Sequence, residues 1–140
     1  MNELNEGKKI ALVSDAGTPM ICDPGAVIVS ELTKAGYSIS ALPGACAVTT
    51  FLSEIPRNSE EFTFIGFIPR GEKQIEETCK KFAGANFVFY ESPERILKTL
   101  KTVQKVRGDI KIALGRELSK LFEEIVVDNI FEYLAKKNLK

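Results

Sequence analysis

The chain has 140 residues, of which 44% are hydrophobic and 27% are charged, a composition typical of an ordinary globular domain with an apolar core. Nineteen basic and nineteen acidic side chains cancel, which excludes nucleic-acid binding through net positive charge and leaves only local basic patches for any RNA contact. The chain contains no histidine, so the commonest general base and the commonest metal ligand are both excluded.

The cysteines and the hydropathy pattern indicate a reduced, soluble protein. Cys22, Cys46 and Cys79 are far apart and form no Cys-x-x-Cys pair, so we interpret them as reduced and mostly buried thiols. No apolar run approaches the ~18 residues that a membrane-spanning helix needs, and no signal peptide precedes Lys8. We therefore expect a cytoplasmic protein without a metal site and without membrane contact.

The first part of the chain alternates strand-like and helix-like segments. The apolar run at residues 10–13 predicts a strand that is buried on both faces. A polar, glycine-rich stretch follows, and apolar residues at helical spacing then predict a helix that ends at Gly36. Residues 38–42 predict a second strand, and residues 45–55 predict a helix of small residues after a Pro-Gly turn.

The alternation continues in the second part of the chain. Loop-forming residues cluster at 56–60 and predict a linker. Further strands are predicted at residues 62–67, 86–90, 109–114 and 123–127. Further helices are predicted at residues 72–82, from an N-cap at Ser92 to Val106, and after an N-cap at Asp128. Strands that alternate with helices predict an α/β fold with mostly parallel sheets, here as two small units joined near residues 56–60.

Polar loops follow the predicted strands of the first part. Residues 14–19, with the sequence SDAGTP, come directly after a strand, where open α/β sheets bind their ligands. Asp15 can accept hydrogen bonds from a ribose or an amine, and Gly17 allows close approach of a ligand to the backbone. The same residue types also suit a plain strand–helix turn, so the spacing alone leaves both interpretations open.

Two more segments of the first part combine turn residues with a helix start. Residues 22–25 predict a helix that Asp23 caps, with Pro24 as its first residue. Residues 42–47, with the sequence LPGACA, follow the second strand and open a helix whose N–H groups can face a carboxylate or another polar ligand. A plain turn is again the alternative, but two such loops at one sheet edge are more informative than either alone.

The strand ends of the second part carry charged residues. Arg70 can pair with a phosphate or a carboxylate, although most exposed arginines are simply solvated. Tyr90 and Glu91 close the next strand, and Glu91 with Arg95 also makes an ordinary i, i+4 ion pair.

A third charged segment follows the strand predicted at residues 109–114. Arg116, Glu117 and Lys120 lie close together there. They either pair with one another, as Arg116 with Glu117, or form a polar wall for a substrate that carries phosphate. Polar segments at the strand ends of two α/β units are typical of the lining of a cleft.

Six motifs stand in order between residues 14 and 123, namely SDAGTP, DPG, LPG-x-x-A, GF-x-P, FYES-x-x-R and REL-x-K-x-x-E. Together they resemble the tetrapyrrole methylase superfamily, closest to the branch that 2′-O-methylates a cytidine of small-subunit ribosomal RNA. The resemblance covers nearly the whole chain, and SDAGTP with FYES-x-x-R is highly specific. It implies a two-domain class III methyltransferase fold, S-adenosylmethionine in a cleft between the domains, and a homodimer.

The resemblance also divides the chain. Residues 1–57 correspond to the C-terminal part of the first α/β domain, with the SDAGTP and LPG loops. Residues 58–140 correspond to the second α/β domain without its last strand. Family members begin with another strand and a glycine-rich motif and continue past the equivalent of residue 140, so both ends of this chain look cut.

The family pattern implies the functional residues. The SDAGTP loop, the loop after LPG and strand ends of the second domain contact the cofactor, which gives Asp15, Ala16, Gly17, Thr18, Pro19, Ala45, Cys46, Phe67 and Tyr90. The candidates for the catalytic, RNA-facing side are Glu91, Glu117, Arg116 and Lys120, with Arg95 beside them. The base for the ribose 2′-hydroxyl stays open among Glu91, Glu117, Asp15 and Lys120. Phosphate contacts are expected from Lys8, Lys9, Arg70, Lys73, Lys80, Lys81 and Arg95.

Three alternatives compete with this interpretation. A tetrapyrrole (porphyrin or corrin) C-methyltransferase would share the domains, but SDAGTP replaces the GDP-type loop of those enzymes. An inactive truncated remnant would fold and dimerise without a complete site. A generic nucleotide-binding α/β domain is disfavoured because the chain lacks both GxGxxG and GxxxxGK[ST].

Overall fold

The computed structural model describes residues 2–138. The chain forms two compact units, Met1–Ala47 and Val48–Lys140. The first unit contains helices α1 (Asn2–Asn5) and α2 (Ala26–Lys34), and helix α3 (Ala47–Glu54) begins at its last residue. Residues 56–60, the predicted linker, lie inside the second unit. The division into family domains at residues 57 and 58 stays a prediction.

Helix α2 ends as its sequence predicts. Gly36 adopts a φ of 80°, a left-handed conformation that glycine reaches without a steric penalty. Its N–H donates to the Thr33 carbonyl at 3.0 Å, and the Tyr37 N–H donates to the Leu32 carbonyl at 3.0 Å. These two bonds make a Schellman motif, which satisfies carbonyls that the helix end would otherwise leave without a donor.

The predicted start of α2 was wrong. Gly25, not Asp23, is the N-cap residue, and no side chain caps the helix. Gly25 has a φ of 137°, and a Cβ there would lie 2.8 Å from Leu12 Cδ2 and 3.0 Å from Met20 Cγ. This backbone conformation favours glycine, and the helix begins at Ala26, directly after Gly25.

The two strands predicted in the first unit are also wrong. Residues 10–13 and 38–42 have no strand conformation, and no hydrogen-bonded strand pair occurs within residues 2–47. Ile10 is 62% exposed and Val13 is 81% exposed. An apolar run supplies surface to bury, but a strand also needs a neighbouring strand to satisfy its backbone groups. Across residues 2–47 no side chain is fully buried.

A parallel strand pair opens the sheet structure of the second unit. Strands β1 (Thr63–Phe67) and β2 (Phe87–Tyr90) pair in parallel, and helix α4 (Glu72–Lys81) connects them. Thr63 faces Phe87 and Phe67 faces Tyr90 across the pair, with a bulge between Phe64 and Phe67. Gly66, at a φ of 70°, supplies the left-handed backbone of the bulge. The predicted strand–helix–strand order is confirmed here.

The second strand pair is antiparallel. Helix α5 (Ile96–Arg107) precedes strand β3 (Lys111–Arg116), which pairs with strand β4 (Glu124–Asn129) before helix α6 (Ile130–Asn138). The loop between β3 and β4 is too short for the crossover that parallel strands need, so this pair cannot continue a parallel sheet. The α/β class is confirmed, with one parallel and one antiparallel pair among the described residues.

Helices α5 and α6 begin differently from the prediction. Ser92 does not cap α5; its carbonyl accepts the N–H groups of Arg95 and Ile96 at 3.1 Å, which makes a turn before the helix. Asp128 does not cap α6, because β4 runs past it to Asn129. Lys136 pairs with Asp128 at 2.6 Å and lowers the pKa of its carboxyl.

A residue from the segment between α5 and β3 caps α6. The N–H of Phe131 donates to Asp109 Oδ1 at 3.2 Å. The Ile130 N–H donates to the Ile110 carbonyl at 2.9 Å. Two of the N–H groups that a helix start leaves without an intrahelical acceptor are thereby satisfied by the segment before β3.

The core of the second unit lies where α4, α5 and α6 pack together. Its buried members are Ile68, Ile75, Cys79, Leu100, Val103, Ile130 and Leu134. Cys79 is buried as predicted, whereas Cys22 is exposed and Cys46 is half-buried. Within residues 2–138, no helix is both long and apolar enough to cross a membrane.

Candidate functional site

The SDAGTP loop folds back on itself. The Ser14 hydroxyl donates to the Gly17 carbonyl at 3.0 Å and lies 3.4 Å from the Ala16 carbonyl. Gly17 takes a φ of 76°, a value that residues with a Cβ rarely adopt. Ser14 was not among the predicted site residues, although a serine at the start of a glycine-containing loop is a known signal for such a turn.

The structure brings the two predicted cofactor loops of the first unit together. Thr18 Oγ1 donates to the Ala45 carbonyl at 2.9 Å. A Cβ on Gly17 would lie 3.7 Å from the same carbonyl oxygen, so the backbones run close to each other. Asp15, Ala16, Gly17 and Ala45 are exposed, and Thr18, Pro19 and Cys46 are half-buried. Polar backbone at this contact is therefore accessible to a ligand.

The predicted residues Phe67 and Tyr90 lie side by side at the ends of β1 and β2. They are register partners, and their rings meet edge to face with centroids 5.5 Å apart. The Ile68 N–H donates to the Tyr90 carbonyl at 3.1 Å. Phe67 remains 63% exposed, which is unusual for a large aromatic residue. This exposed ring is a surface on which a flat ligand can stack.

Glu91 lies at the end of β2 with its side chain only 3% exposed. Its Oε1 accepts the Ser92 N–H at 2.7 Å and lies 3.1 Å from Arg95 Nη1. Its Oε2 accepts the Thr99 hydroxyl at 2.7 Å. Arg95 also donates through Nη2 to the Pro69 carbonyl at 3.0 Å. The i, i+4 pair is therefore present, and it belongs to a larger, partly buried cluster.

The other catalytic candidates lie on the β3–β4 hairpin. Arg116 pairs with Glu124, its register partner, at 2.6 Å, and Lys120 pairs with Glu117 at 3.3 Å. The predicted ion pair between Arg116 and Glu117 is therefore not formed, and each residue pairs with a different partner. Glu117 and Ser119 have φ values of 50° and 61°, a left-handed backbone, within the loop that joins β3 and β4.

The predicted basic patch is only partly available for phosphate. Lys8 forms ion pairs with Glu3 and Glu6, which raise the pKa of its amine. Arg95 is engaged with Glu91 and the backbone. Five further members of the patch are exposed, namely Lys9, Arg70, Lys73, Lys80 and Lys81. Within the described part of the chain, no three acidic or sulfur side chains gather as a metal site would require.

Comparison with known proteins identifies the family. A sequence profile of the Tetrapyrrole (Corrin/Porphyrin) Methylases matches residues 1–133. A protein of Thermotoga maritima named ribosomal RNA small subunit methyltransferase I is 37% identical over 134 residues, covering 94% of this chain and 60% of that protein. Proteins of the same name from Bacillus subtilis and Haemophilus influenzae are 42% and 40% identical, covering 96% of this chain and 47% and 50% of their own lengths.

This chain thus spans about half the length of the curated relatives that it matches. The match nevertheless extends over both units, including the SDAGTP loop and the Glu91 cluster. On this evidence the chain belongs to the tetrapyrrole methylase family.

Proposed function

We propose that this protein is an S-adenosylmethionine-dependent methyltransferase that acts on the 2′-hydroxyl of a cytidine in small-subunit ribosomal RNA. The observation that carries the proposal is the hydrogen bond from Thr18 to the Ala45 carbonyl, which joins two loops of the family motif into one exposed polar surface. The names of the relatives support the choice of ribosomal RNA as the methyl acceptor.

The chemistry of the loops fits the cofactor. S-adenosylmethionine supplies a methyl group activated by a positively charged sulfur. Asp15 offers an exposed carboxylate to a hydroxyl or an amine, and Gly17 lets the loop backbone approach a ligand. Ala16, Thr18, Pro19, Ala45 and Cys46 complete the proposed contacts in the first unit. Phe67 and Tyr90 are further proposed contacts, because the exposed ring of Phe67, which packs edge to face on Tyr90, can stack on an adenine.

The acceptor side of the proposal uses Arg116, Glu117, Lys120 and Glu91. A ribose hydroxyl is a weak nucleophile, so one carboxylate has to accept its proton as the oxygen–carbon bond forms and the carbon–sulfur bond breaks. Arg116 and Lys120 are exposed cations on one hairpin and can hold a phosphate of the RNA. Alignment of the two reactants supplies the remainder of the rate enhancement.

The proposal includes a homodimer in the cytoplasm, where ribosomes are assembled. Leu121 and Phe122, at the tip of the β3–β4 hairpin, are 90% and 71% exposed. Large apolar side chains exposed next to each other are typical of surfaces that bind another protein. Light scattering coupled to size exclusion measures the dimer directly.

Cofactor binding is tested by calorimetric titration of S-adenosylmethionine, and of its demethylated product, into the purified chain. Thr18→Val removes the hydroxyl that joins the loops, and we expect about 3- to 10-fold weaker binding. Thr33→Val is the matched control, because its hydroxyl bonds only to the Val29 carbonyl within α2. Equal affinity of both variants with the parent chain would contradict the assigned loop contact.

Methyl transfer is tested with a transcribed small-subunit ribosomal RNA and tritiated cofactor, followed by digestion to nucleosides. The proposal predicts label in 2′-O-methylcytidine. Label in a tetrapyrrole supplied as competitor would instead identify the alternative acceptor. Cofactor binding without transfer to either acceptor would refute the proposed activity for this chain.

A further inference from the structure

The carboxylate of Glu91 is bonded to protein donors and has almost no exposed surface that a substrate hydroxyl could reach. Three donors converge on it, namely the Ser92 N–H, the Thr99 hydroxyl and the Arg95 guanidinium. Each oxygen accepts at least one of them at 2.7 Å. A ribose hydroxyl could come within hydrogen-bonding distance of this carboxylate only by displacing its neighbours, because the side chain is 3% exposed.

The same carboxylate connects three elements of the second unit. Ser92 begins the turn after β2, and Thr99 lies in α5 with only 1% of its surface exposed. Arg95, held by Glu91, donates to the Pro69 carbonyl in the segment after β1. Both loops that follow the parallel strand pair are therefore tied to one side chain.

These loops carry residues of the proposed site. Pro69 is followed by Arg70, and Phe67 and Tyr90 stand immediately before the two loops. A shift of either loop would change the edge-to-face contact of the two rings and the direction of Arg70. Charge-assisted hydrogen bonds in a buried cluster hold such geometry well.

We propose that Glu91 is a positioning residue, and that the Glu91–Arg95–Thr99 cluster fixes the loops after β1 and β2 for the methyl-transfer site. This inference rests on the proposed function and assigns the proton-accepting role to an exposed carboxylate, such as Glu117, instead of Glu91. Thr99 and the Pro69 carbonyl therefore help to hold the site in place. The pattern of polar residues at strand ends does not identify either of them.

The first test is local and independent of activity. In Thr99→Val the hydroxyl donor to Glu91 is lost, and we expect amide exchange at residues 68–71 and 91–96 to rise at least about tenfold. Thr102→Val is the matched control. Thr102 is also buried on α5, but its hydroxyl donates to the Lys98 carbonyl within the helix. Thr99→Ser keeps the donor and should restore slow exchange.

The second test separates positioning from proton transfer. Glu91→Gln and Thr99→Val should weaken binding of the substrates by a similar factor and leave the acid limb of the pH–rate profile of methyl transfer in place. A base would show the opposite pattern, with Glu91→Gln abolishing that limb and cofactor affinity unchanged.

The outcomes are distinguishable from failure of the proposed function. If the parent chain neither binds cofactor nor methylates RNA, the exchange measurement still decides whether the cluster fixes both loops. Unchanged exchange at residues 68–71 in Thr99→Val and Glu91→Gln would overturn the inference. So would loss of the acid limb in Glu91→Gln with slow exchange preserved.

Discussion

Cys79 illustrates how burial changes the chemistry of a single side chain. The residue has no exposed surface, and desolvation raises the pKa of its thiol. Cys22 is exposed. We expect a thiol reagent to modify Cys22 rapidly in the native chain and Cys79 only after denaturant is added. Mass spectrometry of tryptic peptides reads both, and modification of Cys79 at the rate of Cys22 would contradict the buried position.

The raised pKa of Cys79 also gives a pH dependence with a definite sign. The folded state resists ionisation of this thiol, so stability is unaffected below the ordinary pKa of a cysteine. Above that pH the unfolded chain loses the proton first, and stability falls as pH rises. Cys79→Ala should remove this alkaline dependence, at the separate cost of a small cavity.

Gly115 shows how a close contact with a neighbouring side chain can require glycine at one position. A Cβ at this position of β3 would lie 2.6 Å from Phe51 Cδ2 and 2.9 Å from Phe51 Cε2. Gly115→Ala therefore overpacks the site, and we expect a loss of about 1–3 kcal/mol in the free energy of unfolding. Gly84→Ala is the control, because no atom lies within 4 Å of a Cβ there. Denaturant titration of both variants checks the difference.

At the scale of elements, the start of α6 depends on a residue outside that helix. Asp109 accepts the N–H of Phe131 and lies 3.4 Å from the side-chain amide of Asn129. Asp109→Ala should cost about 1 kcal/mol, the usual effect of losing a helix cap. Asp109→Ser keeps an acceptor and should recover part of that loss. Equal stability of Asp109→Ala and the parent chain would show that the cap contributes nothing.

The sequence predicts best those helices and strands whose bounds are determined by their own residue pattern. β1, α4 and β2 are found within a few residues of the prediction, because apolar spacing and the flanking turns determine them locally. The starts of α5 and α6 are missed because the capping rules do not anticipate their partners. These are the Ser92 carbonyl, which accepts the Ile96 N–H, and the Asp109 carboxylate, which accepts the Phe131 N–H.

The remaining errors concern pairing. The runs at residues 10–13 and 38–42 have the composition of strands, but composition does not supply a hydrogen-bonded neighbour. The candidate site likewise contains one contact that the sequence predicts and one that it does not. The SDAGTP loop meets Ala45 as the sequence predicts, but without the sheet edge on which that prediction rested, since residues 10–13 and 38–42 form no strands. The tie from Thr99 through Glu91 to the Pro69 carbonyl depends on three-dimensional packing.

At the scale of the whole molecule, the two units differ in how much they bury. The second unit has a core of buried apolar residues around Leu100 and Ile130, while no residue among 2–47 is fully buried. Segments with few buried apolar contacts open at low free energy. We expect limited trypsin digestion to cut first at Lys8, Lys9 and Lys34 and to leave a fragment that contains Val103 intact. Early cleavage within α5 would contradict this order.

The central claim is that the joined loops of the first unit bind S-adenosylmethionine. Hydrogen exchange of the chain with and without saturating cofactor tests it most directly. The account predicts slower exchange at residues 14–19 and 42–47, because a ligand that binds only the ordered loops reduces their opening. The same slowing should be weaker in Thr18→Val. Identical exchange of these peptides with and without the cofactor would contradict the claim.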